Sequence, residues 1–332
     1  MFIKMGNEMK VVKTINLECG QTYLLEMDKG EFLEGGDVFM AREEGYGTRP
    51  YHFKDFKNPG DTEKRVMTIC TMLGCCCCCK FCASRNSFKR NLTKEEILGQ
   101  VDIMVKEGMK SGRNSDPNNA KEFRVLYTRM GEPMLNSDNV IASIEELIKR
   151  YPHIIIGMST SGYGHGLDKF LEKKELLKNI DIQFSLHSTN DEERDFLFGS
   201  KMGTSKLSIP QIAEYANKWY DLSGNKVCLN VILFDGFEYD FKGLLKYFDK
   251  DKIWLRLSPW NVVSDLKEDF GGLLQVKDVL NKKPVTSEML KDIIKNIEES
   301  GISYSYAPAI DEEIKHNVAC GQALEVFRED IK

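Results

Sequence analysis

Short runs rich in β-branched and other apolar residues alternate, for most of this chain, with longer stretches in which apolar positions recur every three or four residues. The runs at 66–70, 123–128, 154–159, 180–186, 227–234 and 253–257 predict strands, each bounded by polar or turn-forming residues. The stretches at 93–112, 137–150, 167–178, 209–222 and 241–248 predict helices. The first opens on Leu92-Thr93-Lys94-Glu95-Glu96, where Thr93 and Glu96 have the spacing of a capping box. Strand and helix in steady alternation predict an α/β protein with parallel strands joined by right-handed crossovers, closed into a full or partial barrel or left as an open, doubly wound sheet.

The two ends depart from this rhythm. Residues 22–27 and 37–41 predict short strands around a turn at Asp28-Lys29-Gly30, so residues 1–65 are expected to form a small β-rich extension that caps the core. Residues 66–262 make the core, and residues 263–332 a C-terminal extension. A long loop is expected over 262–285, followed by a helix at 288–300, a strand at 302–307 and the segment His316-Asn317-Val318-Ala319-Cys320-Gly321-Gln322.

In either architecture ligands bind at the carboxyl ends of the strands. Polar or small-residue clusters sit at those ends: a cysteine run after the first strand, Gly131-Glu132-Pro133 after the second and Ser159-Thr160-Ser161-Gly162 after the third. Ser185-Leu186-His187 ends the fourth and Ser258-Pro259-Trp260-Asn261 the sixth. Five clusters are thereby expected on one face.

Composition narrows the class of protein. Of 332 residues 42% are hydrophobic and 29% charged, and the net charge is −5, which fits a globular protein and argues against a broadly basic nucleic-acid binder. Lys80, Lys89 and Arg90 remain local candidates for phosphate contacts. No apolar stretch approaches a membrane span, and ten cysteines fit a reducing compartment, so a cytoplasmic, non-membrane protein is expected.

Cysteine fills positions 75–79 without a break and recurs at Cys82. Zinc sites use four ligands in two separated pairs, and no second pair follows. A disulfide framework belongs to small secreted chains. Iron and sulfur fit best: in Cys75-x3-Cys79-x2-Cys82 three thiolates hold three irons of a [4Fe-4S] cluster and leave the fourth open to a chelating ligand. The register Cys76-x2-Cys79-x2-Cys82 is equally available.

The Cys-x3-Cys-x2-Cys pattern after a first strand resembles the signature of radical S-adenosylmethionine (SAM) enzymes. Phe88-Lys89-Arg90-Asn91-Leu92-Thr93, Met130-Gly131-Glu132-Pro133-Met134-Leu135-Asn136 and Ser159-Thr160-Ser161-Gly162 each resemble motifs of one subfamily. Ser185-Leu186-His187 with Asn190-Asp191-Glu192 and Arg194, Pro259-Trp260-Asn261, and Ala319-Cys320-Gly321-Gln322 continue that resemblance in order. The subfamily is that of the RNA adenine methyltransferases RlmN and Cfr, and the resemblance runs from Lys64 to the C-terminus.

The resemblance implies a partial (β/α)6 TIM-like radical SAM barrel and a methyltransferase acting on carbon 2 or carbon 8 of adenine in rRNA or tRNA. It implies a [4Fe-4S] cluster on Cys75, Cys79 and Cys82, and SAM as the second cofactor. Gly131 and Glu132 would meet the SAM amino group. Ser159, Ser161, Ser185, Leu186 and His187 would hold its carboxylate and ribose, and Asn261 its adenosine. Cys320 would carry the methyl group, and Cys70 would resolve the covalent protein–nucleotide intermediate by forming a disulfide. A low-potential donor such as flavodoxin or ferredoxin would supply electrons. Against the family pattern, residues 1–65 do not read as the usual helical RNA-binding domain. The Cys70–Cys75 interval is short, which brings Cys76, Cys77 and Cys78 forward as resolving thiols, and Glu43 or Glu44 are the candidate proton acceptors. Two other readings stay open: a radical SAM enzyme acting on a peptide or small molecule without Cys320, and an iron-sulfur electron carrier or sensor.

Overall fold

The computed structural model describes residues 9–17, 20–27, 30–39, 64–110, 116–260, 282–307 and 316. Cys320, Asn261, Glu43, Glu44 and most of the loop expected over 262–285 lie outside them.

Ten strands form one sheet. β1 (Lys10–Leu17), β2 (Gly20–Glu26) and β3 (Phe32–Phe39) are antiparallel and join the edge of β4 (Lys64–Ile69). After the two-residue strands β5 (Met72–Leu73) and β6 (Arg90–Asn91), which pair only with each other, α1 (Lys94–Lys110) crosses to β7 (Glu122–Tyr127). α2 (Ser137–Arg150) leads to β8 (Ile154–Thr160). α3 (Gly164–Glu172) and α4 (Lys174–Leu177) lead to β9 (Ile180–Ser185), and α5 (Asp191–Phe198) and α6 (Ile209–Ser223) to β10 (Val227–Leu233). α7 (Phe241–Leu244), β11 (Ile253–Pro259), α8 (Ser287–Ser300) and β12 (Tyr304–Tyr306) complete the described chain.

From β4 onward neighbours in the sheet are parallel, in the order β4-β7-β8-β9-β10-β11-β12. Of the architectures that the alternation of apolar runs leaves open, this is the partial barrel that the resemblance implies, lengthened at one edge by β12 and at the other by β1–β3. The N-terminal strands are thus a continuation of the sheet rather than a lid over it. Each parallel strand buries its apolar residues against helices whose apolar positions repeat at helical spacing; α2, for instance, buries Val140, Ile141, Ile144 and Leu147. α1 starts on the expected capping box, with the Thr93 backbone N–H donating to Glu96 Oε2 (2.9 Å) and the Glu96 N–H to Thr93 Oγ1 (3.3 Å).

The junction between the antiparallel and parallel parts holds an ion pair. Arg65 on β4 donates from Nε and Nη2 to the two carboxylate oxygens of Asp37 on β3 at 3.0 and 2.7 Å, with side chains 1% and 0% exposed. Removing one partner leaves a buried charge uncompensated, so Asp37→Ala is expected to cost about 3–5 kcal/mol in denaturant unfolding. A loss under 1 kcal/mol would mean that water reaches Arg65 at little cost.

Candidate functional site

The cysteine run begins six residues after Lys64–Ile69 ends, at the carboxyl end of that strand. Its entry requires Gly74, which takes φ +74° and would place a Cβ 1.9 Å from the Ser87 carbonyl oxygen. The return segment pins the loop: Ser87 N–H donates to the Cys75 carbonyl (3.1 Å), Asn86 N–H to that of Cys77 (3.2 Å), and Lys80 N–H to that of Leu197 (2.8 Å). Phe81 anchors it from below. Its ring lies edge-on to His187 (4.8 Å between centroids) and Phe198 (5.7 Å) and beside Phe234 (6.3 Å).

Cys75 and Cys77 are buried, Cys79 and Cys82 half-buried, and Cys76 and Cys78 exposed. Cys77 is the centre of a thiol network, hydrogen-bonded by Cys75, Cys76 and Cys79, and these donors hold its ionisation well below the ordinary thiol range. The same bonds, with burial, raise Cys75 and Cys79, and the charge of Cys82 bears on both. Among the described residues no three His, Cys, Asp or Glu side chains are gathered into a metal-holding arrangement. The donor set suits a soft metal: the pinned loop from Cys75 to Ser87 holds six thiols and no carboxylate.

Glu132 stands next to this network. It follows Gly131, whose φ of +108° and packing on Thr71 (an added Cβ would lie 2.5 Å from Thr71 Oγ1) require glycine. The Glu132 carboxylate is 3% exposed and accepts four hydrogen bonds. Thr160 Oγ1 (2.6 Å) and Met134 N–H (3.1 Å) donate to Oε1, and Ser161 N–H (2.8 Å) and Oγ (2.7 Å) to Oε2. Burial, and next the charge on Cys77, push its pKa up to about 7 against the pull of those donors. The carboxylate is therefore presented on the same side as the thiols, and its cross-links tie the end of β7 to the end of β8.

Further along the sheet Ser159 and Ser185 face each other (3.4 Å between hydroxyls), and Gln183 Nε2 donates to Ser159 Oγ (3.1 Å). Ser258 Oγ donates to Asn230 Oδ1 (3.2 Å) on the next pair of strands, which continues a polar row along the strand ends. Leu186 is fully buried in the core. His187 is buried too, at φ +60°, with Nδ1 accepting the Ile232 N–H (3.2 Å). Burial and the neighbouring Arg194 lower its pKa to about 3, so it is a neutral brace for Phe81.

Cys70 lies elsewhere. It is fully buried under α1, its N–H and carbonyl both held by Gln100 (2.8 and 3.0 Å) and its thiol donating to the Glu34 carbonyl (3.1 Å). Burial, and next the Glu34 charge, push the thiol up to about 12. Arg90 is likewise engaged, in ion pairs with Glu31 (2.7 Å) and Glu96 (2.8 Å). In the apo protein brief alkylation is expected to modify exposed Cys78 and to spare Cys70 until the chain is denatured; rapid native labelling of Cys70 would contradict this placement.

Three residues of the site escape a reading by motif. Thr160 orients Glu132, the Tyr163 hydroxyl lies 3.5 Å from Cys77 Sγ, and Phe81 joins the loop to His187. Thr160 lies inside the Ser159–Gly162 cluster, but that motif gives it no role of its own. Nothing in local spacing marks Tyr163.

No family model matches the chain. In sequence it is similar to proteins named "Probable dual-specificity RNA methyltransferase RlmN". That of Pseudothermotoga lettingae is 30% identical over 247 residues, covering 72% of this chain and 61% of the relative. That of Thermotoga petrophila is 31% identical over 231 residues, covering 68% and 64%, and that of Dictyoglomus turgidum 26% identical over 326 residues, covering 96% and 79%. The chain thus spans less than two thirds of the length of the first two. In structure it resembles a radical SAM methyltransferase from Sphaerobacter thermophilus with a TM-score of 0.69 at 18% identity, over 95% of this chain and 80% of the other, a likeness of fold.

Proposed function

Because the chain belongs with the RlmN-like radical SAM proteins, we propose that it is a radical SAM methyltransferase that methylates a ring carbon of adenine, carbon 2 or carbon 8, in rRNA or tRNA. The observation that carries this reading is the pairing of a pinned, thiol-rich loop with a buried carboxylate on one face of a parallel sheet. An electron carrier needs no such carboxylate, whereas an enzyme that binds an amino acid-like cofactor beside its cluster does.

In this proposal Cys75, Cys79 and Cys82 hold a [4Fe-4S] cluster that, when bound, supplies an electron to SAM. The anionic carboxylate of Glu132 accepts the ammonium of SAM, with Thr160 and Ser161 fixing its orientation. The Gly131 backbone approaches that ammonium, and the hydroxyls of Ser159, Ser161 and Ser185 offer donors to the SAM carboxylate and ribose. With its side chain in the core, Leu186 contributes only backbone, and neutral His187 keeps Phe81 and the loop in place. Asn261 contacts the adenosine portion and Cys320 carries the methyl group. Of the thiols available to resolve an intermediate on Cys320, exposed Cys76 is better presented than Cys70, which is enclosed between Glu34 and Gln100. A low-potential donor such as flavodoxin or ferredoxin supplies electrons in the cytoplasm. Among the described residues no helix is long and apolar enough to cross a membrane.

The test is anaerobic reconstitution with iron and sulfide, followed by reductant, SAM and total RNA. Formation of 5′-deoxyadenosine, a methyl group on Cys320 and methylated adenine in the RNA are expected. Intact SAM would leave the carrier reading, and SAM cleavage without methyl on Cys320 or RNA would leave the reading with a changed substrate.

A further inference from the structure

Lys206 carries an ammonium sealed into the protein without a carboxylate. It is 2% exposed, in the connection between α5 and α6, and its backbone is fixed on both sides. The Gly203 N–H donates to its carbonyl (2.7 Å). The next residue, Leu207, donates to the Gly162 carbonyl (3.0 Å) and accepts from Arg194 Nη1 (2.9 Å). Lys206 Nζ has one neutral acceptor, the Phe198 carbonyl at 3.4 Å, and lies 4.7 Å from the centre of the Phe198 ring and 6.0 Å from that of Tyr163. No carboxylate stands within ion-pairing distance of it among the described residues. Arg194, the other buried cation beside Phe198, has Asp191 at 3.0 Å. An ammonium has three donors, and burying one is costly unless an anion meets it.

The groups around Lys206 lead to the thiol loop. Phe198 belongs to the cluster of Leu197, Met202, Phe234 and Trp260 against which Cys79 and Phe81 pack, and Tyr163 reaches Cys77 Sγ with its hydroxyl (3.5 Å). Gly199, which ends α5, would place a Cβ 3.1 Å from the Cys78 carbonyl oxygen. The positive charge of Lys206 bears on the Cys79 thiol. We infer that Lys206 is the counter-ion of the iron-sulfur cluster, held in the fold to meet the negative charge that the thiolates and the reducing electron bring. This role rests on the cluster reading proposed above. One electron from a low-potential donor adds one negative charge to a thiolate-bound cluster, and Lys206 gains and loses no proton. Its ammonium, buried beside the cluster in a medium of low dielectric, favours that reduced form and so raises the reduction potential.

The test reconstitutes wild-type protein, Lys206→Met and Lys206→Arg anaerobically with iron and sulfide and follows the cluster's reduction potential by electron paramagnetic resonance, without SAM. Methionine keeps an unbranched stem and removes the charge. Its reduction equilibrium is expected to shift about tenfold toward the oxidised form, about 59 mV for a one-electron couple, while Lys206→Arg stays within about threefold of wild type. Apo Lys206→Met is expected to match or exceed apo wild type in denaturant unfolding, since the change removes a buried charge that nothing yet balances. A cluster of unchanged potential in Lys206→Met would overturn the role and leave the cluster reading intact. An unchanged potential joined to weaker SAM binding by calorimetry would overturn it too, giving the ammonium to the SAM carboxylate instead. An apo Lys206→Met that is clearly less stable than wild type, or fails to fold, would make the lysine a part of the fold itself and likewise overturn the role. Wild-type protein that takes up no iron would remove the cluster reading and this role together.

Discussion

Cys79→Ala is expected to abolish both iron binding and SAM cleavage, while Cys77→Ala leaves both largely intact. The contrast matters because geometry alone points the other way: Cys77 is the sulfur on which Cys75, Cys76 and Cys79 converge, and it is more deeply buried than Cys79. In the proposed register Cys77 is a spare thiol that gathers its neighbours by hydrogen bonding when no metal is bound. With a cluster bound, Cys75 and Cys79 would serve as its ligands and Cys77 would not. Removing Cys77 then costs a few S–H contacts, each weak, whereas removing Cys79 leaves a four-iron cluster with two protein ligands. Iron per chain after anaerobic reconstitution is the first readout and 5′-deoxyadenosine the second. The expected losses are about tenfold or more in iron for Cys75→Ala, Cys79→Ala and Cys82→Ala, and under twofold for Cys76→Ala and Cys77→Ala, since thiolates dominate affinity for iron-sulfur clusters. Loss of iron in Cys76→Ala with retention in Cys75→Ala would transfer the site to the alternative register.

How much of this was legible beforehand follows from which forces are local. The parallel core was readable because strands buried on both faces need unbroken apolar runs and crossover helices need a repeating apolar stripe; the helix at Ser137–Arg150 falls where its stripe begins and ends. β1 is not legible because its alternation, with Lys10, Val12, Thr14 and Asn16 exposed, is that of a solvated edge strand, and a run of such residues carries little signal. The 167–178 helix splits at Lys173, a break that no glycine or proline announces. At the site, Glu132 and Ser161 were legible as loop residues at strand ends, yet their direct bond was not, because it joins residues 29 positions apart. Cys70 is hard to read for a related reason: a thiol next to a cysteine run reads as a partner to it, whereas its bond to the Glu34 carbonyl joins residues 36 positions apart.

Glu132→Gln is expected to weaken SAM binding about tenfold and to remove a pH dependence that the wild-type protein shows. The carboxylate has four hydrogen-bond donors aimed at it, and it is also held up to about 7 by burial and by the charge of Cys77. Folding therefore stabilises its protonated form. That contribution is fully present below the unfolded carboxylate's range near 4.5 and is lost as pH rises through about 7. Over that window the apo protein should lose stability on the order of 3 kcal/mol from this group, at about 1.4 kcal/mol per pH unit. SAM reverses the preference, since its ammonium needs the anion. Its affinity should rise from pH 6 toward about 7.5 and level off where an α-amino group loses its own proton, near 7.7–8.0. Glutamine keeps the shape but cannot ionise, and its NH₂ meets the Ser161 N–H that the carboxylate accepted. In the variant both slopes, of stability by denaturant titration and of SAM affinity by calorimetry, should flatten between pH 5 and about 7.5. Equal affinity and equal slopes in the two proteins would mean that the ammonium of SAM is held by some other group, and the role proposed for the buried carboxylate would fall with it.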